Sequence, residues 1–496
     1  MTVDLSPQQY RELLGSALPI AADADTLDPN LRTLFTPSSH RLALEPEVTV
    51  VRGARGVGKT VWFKALQNQL LRRVAADAYK LPRLTRIETH PVFGSELAPD
   101  RYPGPAILAD LADRVSDPMQ IWMAVLLYAL KIDEVTRLST WAARVAWVRE
   151  NPEPVERSLS AADRAATDAG VTHLLLFDAL ERLHPDRSRT DLLVAGILRL
   201  ALDLRTRTRS LRGKVFIRHD MFESGRLHFA DASKLLSNAA DLTWAESSLY
   251  GLLFHHLGNA ENEHARAFRQ IRPGWREQEI EPGEALRRFV PPSELTGDRK
   301  TQQELFVRIA GRYMGTDHRK GHTYTWLPNH LMDGLSQVSP RSFLRALTKA
   351  VEVTEMQYAG HVLALHYEGI RRGVQEASRT RVAEITEDLR WVELAIAPLE
   401  GLQVPAELET IIERWGERSL GSMLTEQADE IDLRNDPAKV RTGPRNPRNY
   451  QDLVEELVGL GVMTKRANGR IDLPDVYRIA FNIGRRGGVP RLKASS

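Results

Sequence analysis

The chain contains no cysteine among its 496 residues. Disulfide bonds, thiolate zinc sites and thiol nucleophiles are therefore excluded. The histidines, including His255 and His256, also show no spacing typical of metal ligands, so any bound metal is expected to have oxygen ligands. Long apolar runs are missing as well, since segments such as IWMAVLLYAL are too short to cross a bilayer. Because the first residues show no basic-then-apolar leader pattern, we predict a cytoplasmic protein without membrane contact.

A strong net charge is also absent. The 67 basic residues nearly cancel the 65 acidic ones and leave a net charge of +2. The chain as a whole is therefore not expected to attract nucleic acid, and any basic surface must be local. What is present is an ordinary globular composition, with 42% hydrophobic and 27% charged residues. The length suits about three domains.

Residues 45–245 alternate short apolar runs with longer helical stretches. This pattern is typical of an α/β core in which a largely parallel sheet is covered by helices. The candidate strands cover residues 48–51, 84–90, 174–177, 214–217 and 241–244. The long helical stretch between the second and third strands exceeds a minimal crossover, which predicts an insertion or extra helices.

The remaining segments are predicted to be mainly helical. Residues 1–44 form an N-terminal flank in which Tyr10, Leu13 and Leu14 lie on one face of a helix. Residues 246–375 show three- and four-residue apolar spacing, which predicts a helical lid. The other two predicted segments are a helical connector over 376–440 and a winged-helix-like α+β domain over 441–496.

A complete phosphate-binding loop follows the first candidate strand and precedes an amphipathic helix. Its backbone N–H groups and the helix N-terminus are suited to hold phosphate oxygens. Lys59 adds a positive charge toward those phosphates, and the Thr60 hydroxyl is the expected Mg²⁺ ligand. The sequence therefore predicts binding of ATP with Mg²⁺. The predicted nucleotide-binding residues are Gly53, Ala54, Arg55, Gly56, Val57, Gly58, Lys59 and Thr60.

An acidic pair follows the apolar strand THLLLF. Asp178 ends this strand and is the predicted second Mg²⁺ ligand, and Glu181 is the candidate that polarises the attacking water. The alternative for Glu181 is a solvent-facing side chain or a pair with Arg182. Both alternatives remain open at this point, since the D-x-x-E spacing is common.

Two arginines are candidates for sensing the γ-phosphate. Arg218 follows the strand KVFI and would lie beside the nucleotide if that strand neighbours the first one. Its alternative is a structural ion pair with Asp220. Arg341 lies at the start of a helix, with Ser339 as the expected N-cap and Pro340 in the first turn, and could reach back over the nucleotide.

The order of GARGVGKT, LLLFDALE, VFIRHD and SPRSFLRAL resembles that of bacterial AAA+ and STAND (NACHT-like) ATPases over roughly residues 45–350. The resemblance implies a P-loop ATPase in which Arg218 and Arg341 occupy the sensor 1 and sensor 2 positions. STAND proteins usually carry an acidic residue three positions after the magnesium aspartate, which Glu181 matches. AAA+ enzymes usually have glutamate directly after that aspartate, where this chain has Ala179. A standard AAA+ motor mechanism is therefore not expected.

The resemblance also bears on partners. It suggests a switch in bacterial signalling or defence that acts on a protein partner not identified by any motif. An arginine finger acting in trans would require a homo-oligomer.

The C-terminal segment carries a local basic surplus. Residues 439–496 contain twelve basic and five acidic residues. The resulting surplus of seven positive charges is typical of a polyanion binder. The alternative is a protein-packing module. The basic residues are Lys439, Arg441, Arg445, Arg448, Lys465, Arg466, Arg470, Arg478, Arg485, Arg486, Arg491 and Lys493.

Two functional hypotheses follow. The leading one is an ATP-hydrolysing molecular switch in which nucleotide occupancy moves the helical lid and the C-terminal domain. The alternative is a DNA-binding regulator that contacts DNA through residues 441–496 and keeps a structural or slow nucleotide-sensing site. A small-molecule kinase is a third class, although the helical C-terminal half offers no evident acceptor-pocket signature.

Overall fold

The computed structural model describes residues 4–18, 28–184, 186–226, 229, 231–279, 287–426 and 443–486. These residues form two compact units. The first unit spans Ser39–Leu242, and the second combines residues 4–38 and 243–486 within the described ranges. The first helix, α1 (Pro7–Ala17), belongs to the second unit. None of the helices in the described ranges combines the length and apolarity that a bilayer crossing needs.

The first unit is built on a five-stranded parallel sheet. Its strands are β1 (Val50–Arg52), β2 (Ile87–Phe93), β3 (Thr172–Phe177), β4 (Leu211–Ile217) and β5 (Ala239–Asp241). The strand order is β2-β3-β4-β1-β5, and every neighbouring pair is parallel. All five predicted strands are present, with ends shifted by a few residues, and the predicted α/β class is confirmed.

Helices surround this sheet. Five of them, α5 to α9, lie between β2 and β3 and form the predicted extra helical stretch. Trp122 of α6 lies edge-on to Phe177 of β3, with ring centroids 5.8 Å apart, and both side chains are buried. The helices of the first unit are α2 (Arg41–Leu44), α3 (Lys59–Gln67), α4 (Gln69–Tyr79), α5 (Pro105–Arg114), α6 (Met119–Ala129), α7 (Asp133–Thr136), α8 (Trp141–Glu150), α9 (Pro152–Asp168), α10 (Arg187–Arg207), α11 (His219–Arg226) and α12 (Ser233–Leu236).

The second unit is mainly helical, as its sequence periodicity predicts. Residues 420–426 are also helical, next to the end of a described range. Its remaining helices are α13 (Glu246–Asn259), α14 (His264–Ile271), α15 (Ser293–Gly297), α16 (Arg299–Ala310), α17 (Thr323–Leu331), α18 (Pro340–Gln357), α19 (Tyr367–Asp388), α20 (Arg390–Ile396), α21 (Leu408–Glu417), α22 (Tyr450–Gly459) and α23 (Asp475–Arg478).

Short strands accompany these helices. The antiparallel pair β6 (Arg276–Glu279) and β7 (Arg287–Val290) lies inside the segment predicted to be a mainly helical lid, where no strand was predicted. The remaining strands are β8 (Gln403–Val404), β9 (Thr464–Lys465), β10 (Ile471–Asp472) and β11 (Gly484–Arg485). The second unit is therefore α+β and not purely helical.

The helix pair α18 and α19 packs at close range because glycine faces the partner backbone. A Cβ on Gly373 would lie 2.1 Å from the carbonyl oxygen of Ala346, and one on Gly369 would lie 2.8 Å from that of Ala350. No larger residue fits at this spacing. The predicted apolar face of α1 also joins this core, since Tyr10, Leu13 and Leu14 are buried among the second unit's helices.

The C-terminal part has the predicted winged-helix-like elements. Helix α22 is followed by the antiparallel hairpin β9–β10, and Ala406 bridges to Ile471 beside it. The segment RIDLPDVY was expected to be extended throughout, but its second half forms α23 because Pro474 starts a helical turn there. One apolar cluster extends from Leu389 to Ile483, so it joins the predicted connector with the predicted terminal domain.

Candidate functional site

The phosphate-binding loop connects β1 to α3. Gly56 and Gly58 have φ values of 77° and 106°, a region that side chains other than glycine rarely adopt. A Cβ on Gly53 would lie 2.5 Å from Cγ2 of the buried Val57. The backbone path thus requires glycine at positions 56 and 58, and the close approach of Val57 requires it at position 53. This path leaves Lys59 and Thr60 in the first turn of α3.

Lys59 lies close to the loop's own carbonyl groups. Its Nζ donates to the carbonyl oxygens of Gly53 at 3.0 Å and Ala54 at 2.9 Å. Burial lowers the pKa of Lys59 to about 8, while the nearby carboxylates of Glu181 and Asp178 oppose that shift. The side chain is therefore mainly protonated at pH 7, and it carries the positive charge that a polyphosphate needs.

Asp178 follows the end of β3 and is almost fully buried. Its backbone N–H donates to the carbonyl oxygen of Phe93 at 3.0 Å. The Thr60 hydroxyl is hydrogen-bonded to its carboxylate, and burial together with the charge of Glu181 raises the pKa of Asp178 to about 6. Its Oδ2 has no hydrogen-bond partner among the described residues. A hydroxyl and a carboxylate with an unpaired oxygen form a donor set that suits Mg²⁺.

Glu181 is brought to the same site by an unusual backbone turn. Ala179 adopts a left-handed conformation with φ of 55°, and a short 3₁₀ helix over Leu180–Arg182 follows. Non-glycine residues in this region are uncommon and often occur at functional sites. The turn places Glu181 close enough to Lys59 and Asp178 to perturb the pKa of both. Glu181 therefore lies beside Lys59 and Asp178, and its proposed action on water stays a prediction.

Arg218 lies beside the loop because β4 neighbours β1, as the sensor hypothesis requires. Its guanidinium also forms the ion pair that was the alternative, donating to the two carboxylate oxygens of Asp220 at 3.0 and 2.7 Å. Burial opposes ionisation of Asp220, but Arg218 and Arg187 hold the pKa of this carboxyl below its ordinary value. The sensor role and the ion pair of Arg218 are thus compatible, because the pair with Asp220 holds the guanidinium near the loop.

Three further polar residues line the same edge of the sheet and were missed by the sequence reading. Arg52, the last residue of β1, pairs with Asp241 of β5 at 2.8 and 3.1 Å. His219 Nδ1 lies 3.9 Å from that carboxylate, and burial lowers its pKa. The signal that could have found Arg52 and His219 is their position just beyond the carboxyl end of a predicted strand, whereas Asp241 began the strand predicted over residues 241–244 and instead ends β5.

Arg341 belongs to the second unit. Ser339 caps α18 by accepting from the backbone N–H of Ser342 at 3.4 Å, and Pro340 occupies the first turn, so the predicted helix start is confirmed. The Arg341 guanidinium donates to Glu384 of α19 at 2.7 Å. Its proposed contact with nucleotide stays a prediction.

Most described basic residues of the C-terminal segment are already paired with carboxylates. Arg466 and Arg485 contact the buried Asp472, and Arg478 contacts the buried Asp475. Lys465 pairs with Glu455 and Arg470 with Glu407. These cations stabilise the local fold, so the surplus of charge available to a polyanion is smaller than the sequence count. Four residues of that count, Lys439, Arg441, Arg491 and Lys493, lie outside the described residues.

The strand order, the glycine loop between β1 and α3 and the acidic residue after β3 together define a P-loop nucleotide-binding fold. No family model matches the chain, and no curated protein matches it either. Among solved structures, the chain is similar to the ORC2 protein of Aeropyrum pernix in ADPNP–ADP complexes, with a TM-score of 0.36, 13% identity and coverage of 87% of this chain and 85% of that one.

Two further solved structures show similar values. The ORC1 protein of Aeropyrum pernix in complex with DNA gives a TM-score of 0.32 at 15% identity, covering 97% of this chain and 92% of that one. Cdc6p from Pyrobaculum aerophilum gives 0.29 at 11% identity, covering 95% and 89%. The strand order and the site geometry alone define the class of the fold.

Proposed function

We propose that this protein is an ATP-hydrolysing molecular switch of the AAA+ or STAND type. The observation that carries the proposal is the convergence of Lys59, Thr60, Asp178 and Glu181 at the carboxyl end of one parallel sheet. In this arrangement a phosphate-binding cation, a hydroxyl–carboxylate pair for Mg²⁺ and an additional carboxylate lie together. These are the parts that phosphoryl transfer to water requires.

The binding roles follow from the contacts. The loop from Gly53 to Gly58 would hold the phosphates through its backbone N–H groups, and Lys59 would exchange its carbonyl contacts for phosphate oxygens. Thr60 and Asp178 would hold Mg²⁺, which offsets the charge of the phosphates when bound. ATP and Mg²⁺ are thus the proposed cofactors.

Glu181 is the proposed base. Glu181 is not the residue directly after Asp178 in the sequence. The left-handed conformation of Ala179 turns it back toward Lys59. We propose that its carboxylate orients the attacking water and accepts a proton from it. Because the carboxylate reaches the site through a strained turn and not from the usual adjacent position, hydrolysis is expected to be slow.

Two arginines complete the proposal. Arg218, held by Asp220, would report on the γ-phosphate from its position beside β1. Arg341 would contact nucleotide after leaving Glu384, which gives the second unit a means of responding to ATP. A switch of this kind acts through a protein partner or through self-assembly in bacterial signalling or defence.

The first experiment compares two variants of the site. Lys59→Ala should lose ATP binding, and Glu181→Gln should retain ATP while turnover falls by at least about 100-fold, the range typical of removing a general base. Lys64→Ala, on the same helix, and Glu153→Gln, at the start of α9, are matched controls that should behave as wild type. Unchanged ATP binding in Lys59→Ala would overturn the proposal.

DNA contact by residues 441–496 is tested separately. Because most described basic residues there are paired internally, we expect duplex binding to be weak and only shallowly dependent on salt, since few phosphate contacts release few counterions. Duplex binding with a steep salt dependence that disappears when residues 441–496 are removed would instead favour the DNA-binding regulator. Particle mass measured with and without ATP tests the homo-oligomer.

A further inference from the structure

Three metal-ligating side chains meet on one face of the sheet, away from the phosphate-binding loop. Glu88 and His90 are two residues apart on β2, so their side chains point to the same face. His173 of β3 is the direct register partner of Glu88. His173 is the second residue of β3, which places it near the amino end of a strand whose carboxyl end leads to Asp178. Four residues of strand lie between the two positions, and the five steps along the strand cover about 16 Å.

The distances within this Glu88–His90–His173 cluster suit a single small cation. His90 Nε2 lies 2.9 Å from His173 Nδ1. Glu88 Oε1 lies 3.9 Å from His90 Nε2, and Glu88 Oε2 lies 3.8 Å from His173 Nδ1. Ligand atoms that are each bonded at about 2 Å to one ion lie roughly 3–4 Å from one another, and these separations are in that range.

We propose that the Glu88–His90–His173 cluster binds a divalent transition-metal ion, specifically Zn²⁺. Two imidazoles and one carboxylate form a mixed nitrogen and oxygen set, which favours Zn²⁺ over Mg²⁺ or Ca²⁺. The Glu88 side chain is 59% exposed, so solvent can reach the site and supply the remaining ligand. The phosphate-binding loop, in contrast, offers only oxygen ligands to a metal.

The charges around the cluster are compatible with a cation. Burial, together with the neighbouring His173, lowers the pKa of His90 to about 4, so its imidazole is neutral at pH 7. Neutral imidazole is the form that ligates metals. Lys131 opposes a bound cation from the turn after α6, while Glu88 supplies the compensating negative charge. The two imidazoles share a hydrogen bond of 2.9 Å.

A metal here would tie the edge strand β2 to β3. Helices α5 to α9 lie in the chain between these strands, so the ion would close a long loop. Cross-links that close long loops are expected to stabilise most, because they remove the most freedom from the unfolded chain. The site is thus structural in character and independent of ATP hydrolysis.

The test is a Zn²⁺ titration of the full-length protein after treatment with a chelator. Calorimetry should show one Zn²⁺ per chain, and Zn²⁺ should raise the Tm of the wild type. Removing groups that only support a ligand already weakens metal sites by about 10- to 100-fold. His90→Ala and His173→Ala, which remove ligands, should therefore lower the affinity by at least about 100-fold. Glu88→Gln, an exposed and conservative change, should lower it with the fold intact.

Two control variants distinguish this site from others. His361→Ala disrupts another histidine pair, with ring centroids 4.7 Å apart to His366, and Asp178→Asn removes the carboxylate of the loop site. Both should bind Zn²⁺ as the wild type does. Absence of stoichiometric Zn²⁺ binding, or equal affinity in wild type, Glu88→Gln and both histidine variants, would overturn the proposal.

Discussion

The buried carboxylate of Asp178 should destabilise the free protein at neutral pH. Its side chain is almost fully buried, and its pKa is raised from 3.8 to about 6, first by burial and then by Glu181. The difference corresponds to about 3 kcal/mol at 1.36 kcal/mol per pKa unit. We therefore expect Asp178→Asn, which keeps the shape and removes the charge, to increase the free energy of unfolding by about 3 kcal/mol at pH 8.

The sign of the pH dependence follows from linkage. Because the pKa is higher in the folded state, the unfolded state loses this proton first as the pH rises. The contribution of Asp178 to stability therefore falls between about pH 4 and pH 6 and is constant above that range. The advantage of Asp178→Asn should be complete at pH 8 and small near pH 4.

Asp220 offers a matched control of opposite sign. It lies in the same unit, but Arg218 and Arg187 outweigh burial and hold its pKa below the ordinary value. Asp220→Asn should therefore destabilise the protein at pH 8, and the loss should shrink as the pH falls through the low folded-state pKa. Urea unfolding measures the free energy of unfolding of both variants. Hydrogen exchange of peptides covering β3 and β4 then measures the stability of the two strands that these residues follow. An Asp178→Asn variant that is no more stable than wild type at pH 8 would refute this reasoning.

Further predictions concern the loop site and the helix pair. Between pH 7 and pH 5 the wild type should lose about tenfold in Mg·ATP affinity as Asp178 is protonated, and Asp178→Asn, titrated alongside, should not show this loss. Arg218→Met should lower the free energy of unfolding by roughly 2 kcal/mol, because Asp220 loses a charged hydrogen-bond partner; unchanged urea unfolding would contradict a role for the pair. Gly373→Ala should destabilise the second unit by about 1–3 kcal/mol, because its Cβ would meet the Ala346 carbonyl oxygen. Gly416→Ala in α21, where a Cβ meets nothing within 4 Å, should instead be neutral or stabilising in the same thermal unfolding measurement.

Local features of this protein could be predicted from the sequence. The phosphate-binding loop is eight consecutive residues whose backbone conformation depends on glycine at fixed positions, so neighbours in sequence determine it. The five strands were recognisable because apolar runs such as residues 174–177 are buried on both faces. The role of Asp178 as a candidate Mg²⁺ ligand was predicted from its place at the end of such a strand. Ser339 and Pro340 marked a helix start for equally local reasons.

Contacts between distant segments were not predictable in this way. His90 and His173 are 83 residues apart, so no rule based on sequence spacing predicts their hydrogen bond. The position of the Arg218–Asp220 pair beside the loop required the strand order β4-β1, which periodicity does not specify. The C-terminal arginines could be counted, but their neutralisation by buried Asp472 and Asp475 depends on folding.

The sequence by itself determined that a phosphate-binding loop, a strand-terminal aspartate and an α/β core exist, because each is encoded within a few consecutive residues. Only the tertiary structure decided which charges are paired, how Ala179 turns Glu181 toward Lys59, and that Glu88 and two histidines meet on neighbouring strands. The physical reason is that burial and electrostatic pairing depend on which strands become neighbours, and strand order is set by the packing of the whole unit.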